Sequence, residues 1–351
     1  MRTARRVGQA IFSLAVIGGV LVGVLPRFAS FGSVWAIIGS LRPSEQGILM
    51  TAAVWNLATY WPVVMAGLPG LTVSQAAVAN QTATTVAMTV PGGGAIAVGV
   101  SYSMYSSWGF RRSEIVMSAL LTGIWNLAVK LALPAVALAI VAVDGGGRSG
   151  LVPAALTGLG LLVLAAAALV LVAWKEEYAR RIGSALGATV SFLARLVGRP
   201  AARSWGMLAV RFRREAAALA RSRWLFLTGA TVVSQLSVYL VMLLSVRFAG
   251  IPEGRVGWAE VLVVFAFVRL ASAVPIVPGN AGLAELGYVA GLILSGAPRV
   301  PAVAAVLVFR VLTYYGQIPL GAVTYVAWRR TKGWRKAAPA PEPAPAVALT
   351  A

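Results

Sequence analysis

Apolar residues run along most of this chain in blocks near the roughly 20 residues that a bilayer crossing needs, separated by short basic or Pro/Gly-rich punctuation. The blocks at 7–25, 48–66, 113–143, 151–174, 224–246 and 301–328 predict full transmembrane helices. Phe31 to Leu41 is too short to cross and is ended by Arg42 and Pro43. Two further apolar stretches, 76–108 and 258–297, are interrupted, one at Pro91-Gly92-Gly93-Gly94 and the other at Pro278-Gly279-Asn280-Ala281-Gly282. Proline removes a backbone donor and glycine permits dihedrals closed to other residues. A helix broken in this way at membrane depth is tolerated only where protein or a water-filled cavity surrounds it. The second turn, flanked by Arg269 and Glu285, is therefore expected to form the floor of a substrate cavity.

Composition agrees with a membrane protein: 59% of residues are hydrophobic and only 11% are charged, against about 25% in soluble domains. Lys and Arg number 30 against 10 Asp and Glu. In such a chain the excess marks cytoplasmic loops facing anionic lipid, not a nucleic-acid partner. The sequence has no Cys and no His. Disulfides, thiol nucleophiles, imidazole bases and the usual zinc ligands are thereby excluded. No carboxylate pair or nucleophile with a base occurs at workable spacing, so neither an enzyme nor a cofactor is expected.

The basic markers set orientation. Arg2, Arg5 and Arg6 precede the first span and place the N-terminus inside. That span lacks a well-placed cleavage site and reads as an uncleaved anchor rather than a signal peptide. If 76–108 is a hairpin, the chain returns inside at Arg111-Arg112. It returns again at the basic loop 175–223, which carries eleven basic residues and three acids, and last at Arg329 to Lys336. The predicted organisation is an anchor and linker (1–47), a first repeat (48–143), a connecting span (144–174), the basic loop (175–223), a second repeat (224–328) and a basic, then Ala/Pro-rich disordered tail (329–351). Each repeat reads span, broken hairpin, span, and the two start from opposite sides. The fold class is thus an all-α polytopic membrane protein: about six full transmembrane helices plus two re-entrant hairpins in an inverted repeat. The Ala/Gly/Val/Arg-heavy composition suggests a GC-rich bacterial genome, and the basic markers put both termini on the cytoplasmic side of a bacterial inner membrane.

Pro278-Gly279-x-x-Gly282-x-x-Glu285, followed by a span carrying Val308-Phe309-Arg310-Val311-Leu312-Thr313-Tyr314, resembles the transmembrane region of lysylphosphatidylglycerol synthases. The same module occurs in stand-alone flippase-like proteins of uncharacterised protein family 0104. The likeness covers roughly residues 7 to 328 and is most specific in the last 75. It implies inverted repeats with re-entrant helices and movement of a lipid headgroup between leaflets. Many members carry Arg and Glu after the first Pro-Gly turn, whereas nothing here is charged between Pro91 and Arg111. The synthases also carry a soluble aminoacyl-transferase domain, and lysine transfer from tRNA is not expected of this chain.

The candidate substrate-binding residues are Arg269, Glu285, Arg310, Lys130, Gly279, Asn280, Gly282, Gly92, Gly93 and Asn126. Glu285 either caps the helix after the break or neutralises a cation; Arg269, 16 residues earlier on the opposite arm, is its expected partner. Arg310 and Lys130 lie in the final spans of the two repeats, and Arg310 can grip phosphate bidentately or snorkel. The turns 91–94 and 278–282 present helix-end amides suited to a phosphodiester, or simply pack closely. Asn126, Asn280 and Gln317 contact a headgroup or bond across helices. Trp55, Trp61, Trp108, Trp174, Trp224, Trp258 and Trp328 read as an interfacial belt. The function expected first is translocation of an anionic phospholipid or a polyprenyl-phosphate-linked headgroup. The alternatives are a secondary transporter of a small anion, and a non-transporting partner of a lipid- or glycan-modifying enzyme docked through 175–223.

Overall fold

The computed structural model describes residues 31–89, 93–143, 205–272 and 282–331, with the backbone alone over 205–221. Every regular element among them is helical. The helices are α1 (Phe31–Gly39), α2 (Pro43–Thr59), α3 (Trp61–Gly67), α4 (Val73–Thr89), α5 (Gly93–Ser107), α6 (Arg112–Val143), α7 (Trp205–Phe248), α8 (Trp258–Ala271), α9 (Leu283–Leu294), α10 (Arg299–Arg310) and α11 (Gln317–Arg330), with a π turn at Val311–Tyr315 between the last two. Four stretches are long and apolar enough to cross a membrane: Pro43–Gly67, Arg112–Val143, Ser222–Phe248 and Arg299–Arg330. They correspond to the predicted spans at 48–66, 113–143, 224–246 and 301–328. The predicted spans 7–25 and 151–174, the loop 175–204, the tail from 332, and the turn residues Gly92, Gly279 and Asn280 lie outside the described residues.

Helix starts follow one rule. In α2, α6, α8 and α9 a glutamate three residues in reaches back to the amide just before the helix. Glu45 accepts from Arg42 N, Glu114 from Arg111 N and Glu260 from Gly257 N, each at 2.8 Å, and Glu285 accepts from Gly282 N at 2.7 Å. Each pairs a negative charge with amides that have no intrahelical partner. Prolines set the irregularities. Pro62 sits in the first turn of α3, so the first span is split at Tyr60. Pro319 lacks the N–H that would reach residue 315, and its ring crowds that carbonyl. The helix accommodates this one turn earlier, where Gly316 N donates to Val311 O at 2.7 Å, the i to i+5 bond of a π turn. The basic segment 175–223, where interleaved Arg and apolar residues from Tyr178 to Leu219 predict amphipathic helix, is from Trp205 onward helix that runs on without a break into the span that follows.

Within the two interrupted stretches the described helices pack in pairs, α4 on α5 and α8 on α9. Their outer packing is reciprocal. Arm α4 lies against α11, in the last span of the second half, and arm α8 lies against α6, the last span of the first half. The first spans of the two halves pack on each other, α2 against α7. Glycine permits the closest approaches. A Cβ at Gly321 would meet Thr85 Oγ1 at 2.0 Å and the Gln81 carbonyl at 2.4 Å; at Gly291 it would meet Val264 Cγ1 at 2.6 Å. Small residues at such contacts let helix backbones approach in lipid, where packing replaces the hydrophobic effect as the driving force. The larger apolar core joins α7 to α10. Outward faces remain apolar, with Leu225, Val323 and Leu294 exposed. Trp55 is also exposed but sits at the middle of its span, so it does not belong to an interfacial belt.

Candidate functional site

Each of the four spans carries a polar residue at its centre. Asn56, Asn126, Gln235 and Tyr314 all lie within two residues of the midpoints of Pro43–Gly67, Arg112–Val143, Ser222–Phe248 and Arg299–Arg330. These four side chains converge on one cavity of about 240 Å³. The hairpin arms complete its wall. Asn80, Thr84 and Met88 repeat every four residues and so form one stripe of α4. Arg269 projects from the last turn of α8. Tyr60 enters from the Pro62 break, and Thr313 and Tyr314 from the π turn. The interruptions of the helix lattice therefore border the cavity, where freed backbone groups meet polar surroundings.

Arg269 supplies the positive charge of this wall. Its Nε and Nη2 donate to Gln235 Oε1 at 3.2 and 2.8 Å, and its Nη1 donates to the Tyr314 hydroxyl at 2.9 Å. Gln235 Nε2 in turn donates to Asn126 Oδ1 at 2.9 Å, tying the second half to the first. A guanidinium has five N–H donors; three of Arg269's are engaged in these bonds, which leaves two.

Behind this wall lies a buried ion pair. Glu285 is fully enclosed and Arg310 is 1% exposed. Arg310 Nε donates to Glu285 Oε1 at 2.7 Å, and the Tyr315 hydroxyl donates to the same oxygen at 2.8 Å. The other oxygen takes the Gly282 amide. Gly282 holds φ +87°, a conformation that favours glycine. The Arg310 guanidinium lies over the Tyr314 ring, 3.8 Å from its centroid. Tyr314 thus touches both arginines, Arg310 on its ring face and Arg269 at its hydroxyl.

Glu285 both caps α9 and pairs with a cation, but the cation is Arg310, not Arg269. The expected Arg269–Glu285 pair is therefore corrected: the π turn puts Arg310 and Tyr315 on the side facing Glu285, while Arg269 is drawn to Gln235 and Tyr314. Arg310 is likewise not in the cavity wall. Lys130 is half-buried on α6, near enough to Arg269 to feel its charge, yet it too lies outside that wall. Asn126 and Gln317 do line the cavity. Gly93 serves close packing, since a Cβ there would meet the Val86 carbonyl at 2.4 Å. The sequence reading missed Asn56, Tyr60, Asn80, Gln235 and Tyr314 as wall residues. A polar side chain at mid-span was the available signal, because such groups are costly in lipid and face the protein interior.

These features define a multi-pass membrane protein with a polar chamber at mid-depth. The family profile described as "Lysylphosphatidylglycerol synthase TM region" matches residues 10–321, and the chain belongs to this family, which links it to lipid metabolism. No curated protein and no solved structure matches the chain.

Proposed function

We propose that this protein is a lipid translocator that moves an anionic headgroup, of a phospholipid or a polyprenyl-phosphate-linked lipid, between leaflets. The observation that carries this reading is the mid-depth cavity with Arg269 in its wall. Its lining is drawn equally from the two halves of the chain, and apart from Arg269 it is uncharged, mixing polar side chains with Leu57, Met88 and Val238. The headgroup crosses through this chamber while the acyl or prenyl tail stays in lipid. Arg269 and the cavity amides hold the phosphate. The Glu285–Arg310 pair anchors the second hairpin and positions Tyr314 beside Arg269.

Two further features support the reading. The reciprocal packing of α4 on α11 and of α8 on α6 is what an inverted repeat with two re-entrant hairpins produces. Among the described helices, α3 packs on both α4 and α6. Membership of a family linked to lipid metabolism favours a lipid over a small water-soluble anion. The protein acts as a carrier and not an enzyme, in a bacterial cell membrane with both termini cytoplasmic.

The test is translocation of a fluorescent anionic phospholipid in proteoliposomes. Arg269→Gln is expected to stop movement while the protein stays folded. Wild-type protein that moves only a soluble anion removes the lipid reading in favour of a secondary transporter.

A further inference from the structure

The chamber carries more chemical information than its charge. Among the described residues no carboxylate lines it, and the nearby Glu285 has both oxygens occupied. Arg269 has two donors left for a single bidentate phosphate contact. Facing it, Tyr60, Asn80 and Thr84 have no side-chain hydrogen-bond partner among the described residues, and they offer both donors and acceptors. Groups that donate and accept match hydroxyls, which do the same. An ammonium group only donates, carries charge and would find the Arg269 guanidinium in the same wall. The cavity, about 240 Å³, lies below the roughly 300–1,000 Å³ of pockets for drug-sized ligands. That is room for a small headgroup, not for an oligosaccharide. A pyrophosphate would bring a second negative group to a wall with one guanidinium.

We infer that the site selects a headgroup with one phosphodiester and an uncharged, hydroxyl-bearing remainder, of the phosphoglycerol kind, and rejects headgroups that carry an ammonium group. The inference rests on the translocator reading for its lipid, but not for its headgroup chemistry. Arg269 holds the phosphate, and Tyr60, Asn80 and Thr84 hold the hydroxyls.

The experiment has two arms on the purified full-length chain. In proteoliposomes, fluorescent phosphatidylglycerol, phosphatidylethanolamine and lysyl-phosphatidylglycerol are compared as translocation substrates. In detergent, calorimetry compares glycerophosphoglycerol with glycerophosphoethanolamine and inorganic phosphate. Phosphatidylglycerol is expected to move at least about tenfold faster than the two ammonium-bearing lipids, the scale of one hydrogen bond to a charged group. Asn80→Ala is expected to erode that ratio, and Arg269→Gln to abolish phosphate binding. Equal rates for phosphatidylglycerol and phosphatidylethanolamine overturn the headgroup assignment and leave translocation standing. Selective binding of glycerophosphoglycerol with no lipid movement keeps the headgroup assignment and overturns translocation. Equal binding of the two soluble headgroups, again with no lipid movement, overturns both. Thermal unfolding of each variant separates lost binding from lost fold.

Discussion

Arg310 and Glu285 form an ion pair, 2.7 Å between Nε and Oε1, at a place where neither side chain is more than marginally exposed. Two charges taken out of water and out of reach of lipid headgroups hold together only if each is fully engaged. Here the carboxylate takes three donors and the guanidinium also lies over the Tyr314 ring. Removing one partner strands the other. Arg310→Met or Glu285→Leu alone is expected to destabilise the folded protein by about 3–5 kcal/mol. The double variant should recover part of that loss. Denaturation of the detergent-solubilised protein measures both. A double variant no more stable than either single would show that the pair is not the reason for the loss.

Arg269 behaves differently because it is half-buried and faces the cavity. Arg269→Gln keeps hydrogen-bonding capacity toward Tyr314 and removes the charge. Unfolding is expected to stay close to wild type, while headgroup transport falls at least about tenfold. A collapse of stability to match that of the Arg310 variant would reassign Arg269 to a structural role.

Gly291 and Gly321 make a paired test of close approach. At Gly291 the obstacle is the side chain of Val264, so Gly291→Ala should cost about 1–3 kcal/mol, and Val264→Ala in the same protein should restore most of it. At Gly321 the obstacle includes the Gln81 backbone carbonyl as well as Thr85. Thr85→Ala should therefore rescue Gly321→Ala only in part. Full rescue at both sites would mean that the α4–α11 backbones are further apart than described.

The sequence contains no cysteine, which gives a clean background for cross-linking. Thr82 and Thr324 hydroxyls are 3.0 Å apart between α4 and α11. Thr82→Cys with Thr324→Cys is expected to form a disulfide under mild oxidation and to leave transport largely intact, because the two helices stay together. Loss of transport on oxidation, reversed by reductant, would show that this interface slides during the cycle.

The spans were legible because their ends are marked: Arg42-Pro43 at the start of the first, Arg111-Arg112 at the start of the second, Arg247 at the end of the third and Arg329-Arg330 at the end of the fourth. The separation of α4 from α5 and of α8 from α9 was legible from the Pro/Gly interruptions between them. Glu285 stood out because an acid in an apolar run demands an explanation, and the structure gives it a helix cap and a cation partner. Its partner was not legible. In a regular helix residues five apart point about 140° from each other, so Arg310 and Tyr315 read as facing different ways. A π turn closes i to i+5 and brings both onto the Glu285 oxygen. Pro319 hints at that turn but does not place it. Asn56 and Gln235 were overlooked because attention to charge hides neutral polar residues in spans that otherwise look uniform.

The swapped packing of hairpin arms and final spans has a mechanical consequence. The first and second halves of the sequence cannot part as two blocks, because each has an arm clasped by the other. In the proposed translocation cycle, exposing the chamber to one leaflet and then the other would part α4 with α11 from α6 with α8. Under that proposal the levers are hybrids, each built from two distant stretches of chain, with the α2–α7 contact as the fulcrum.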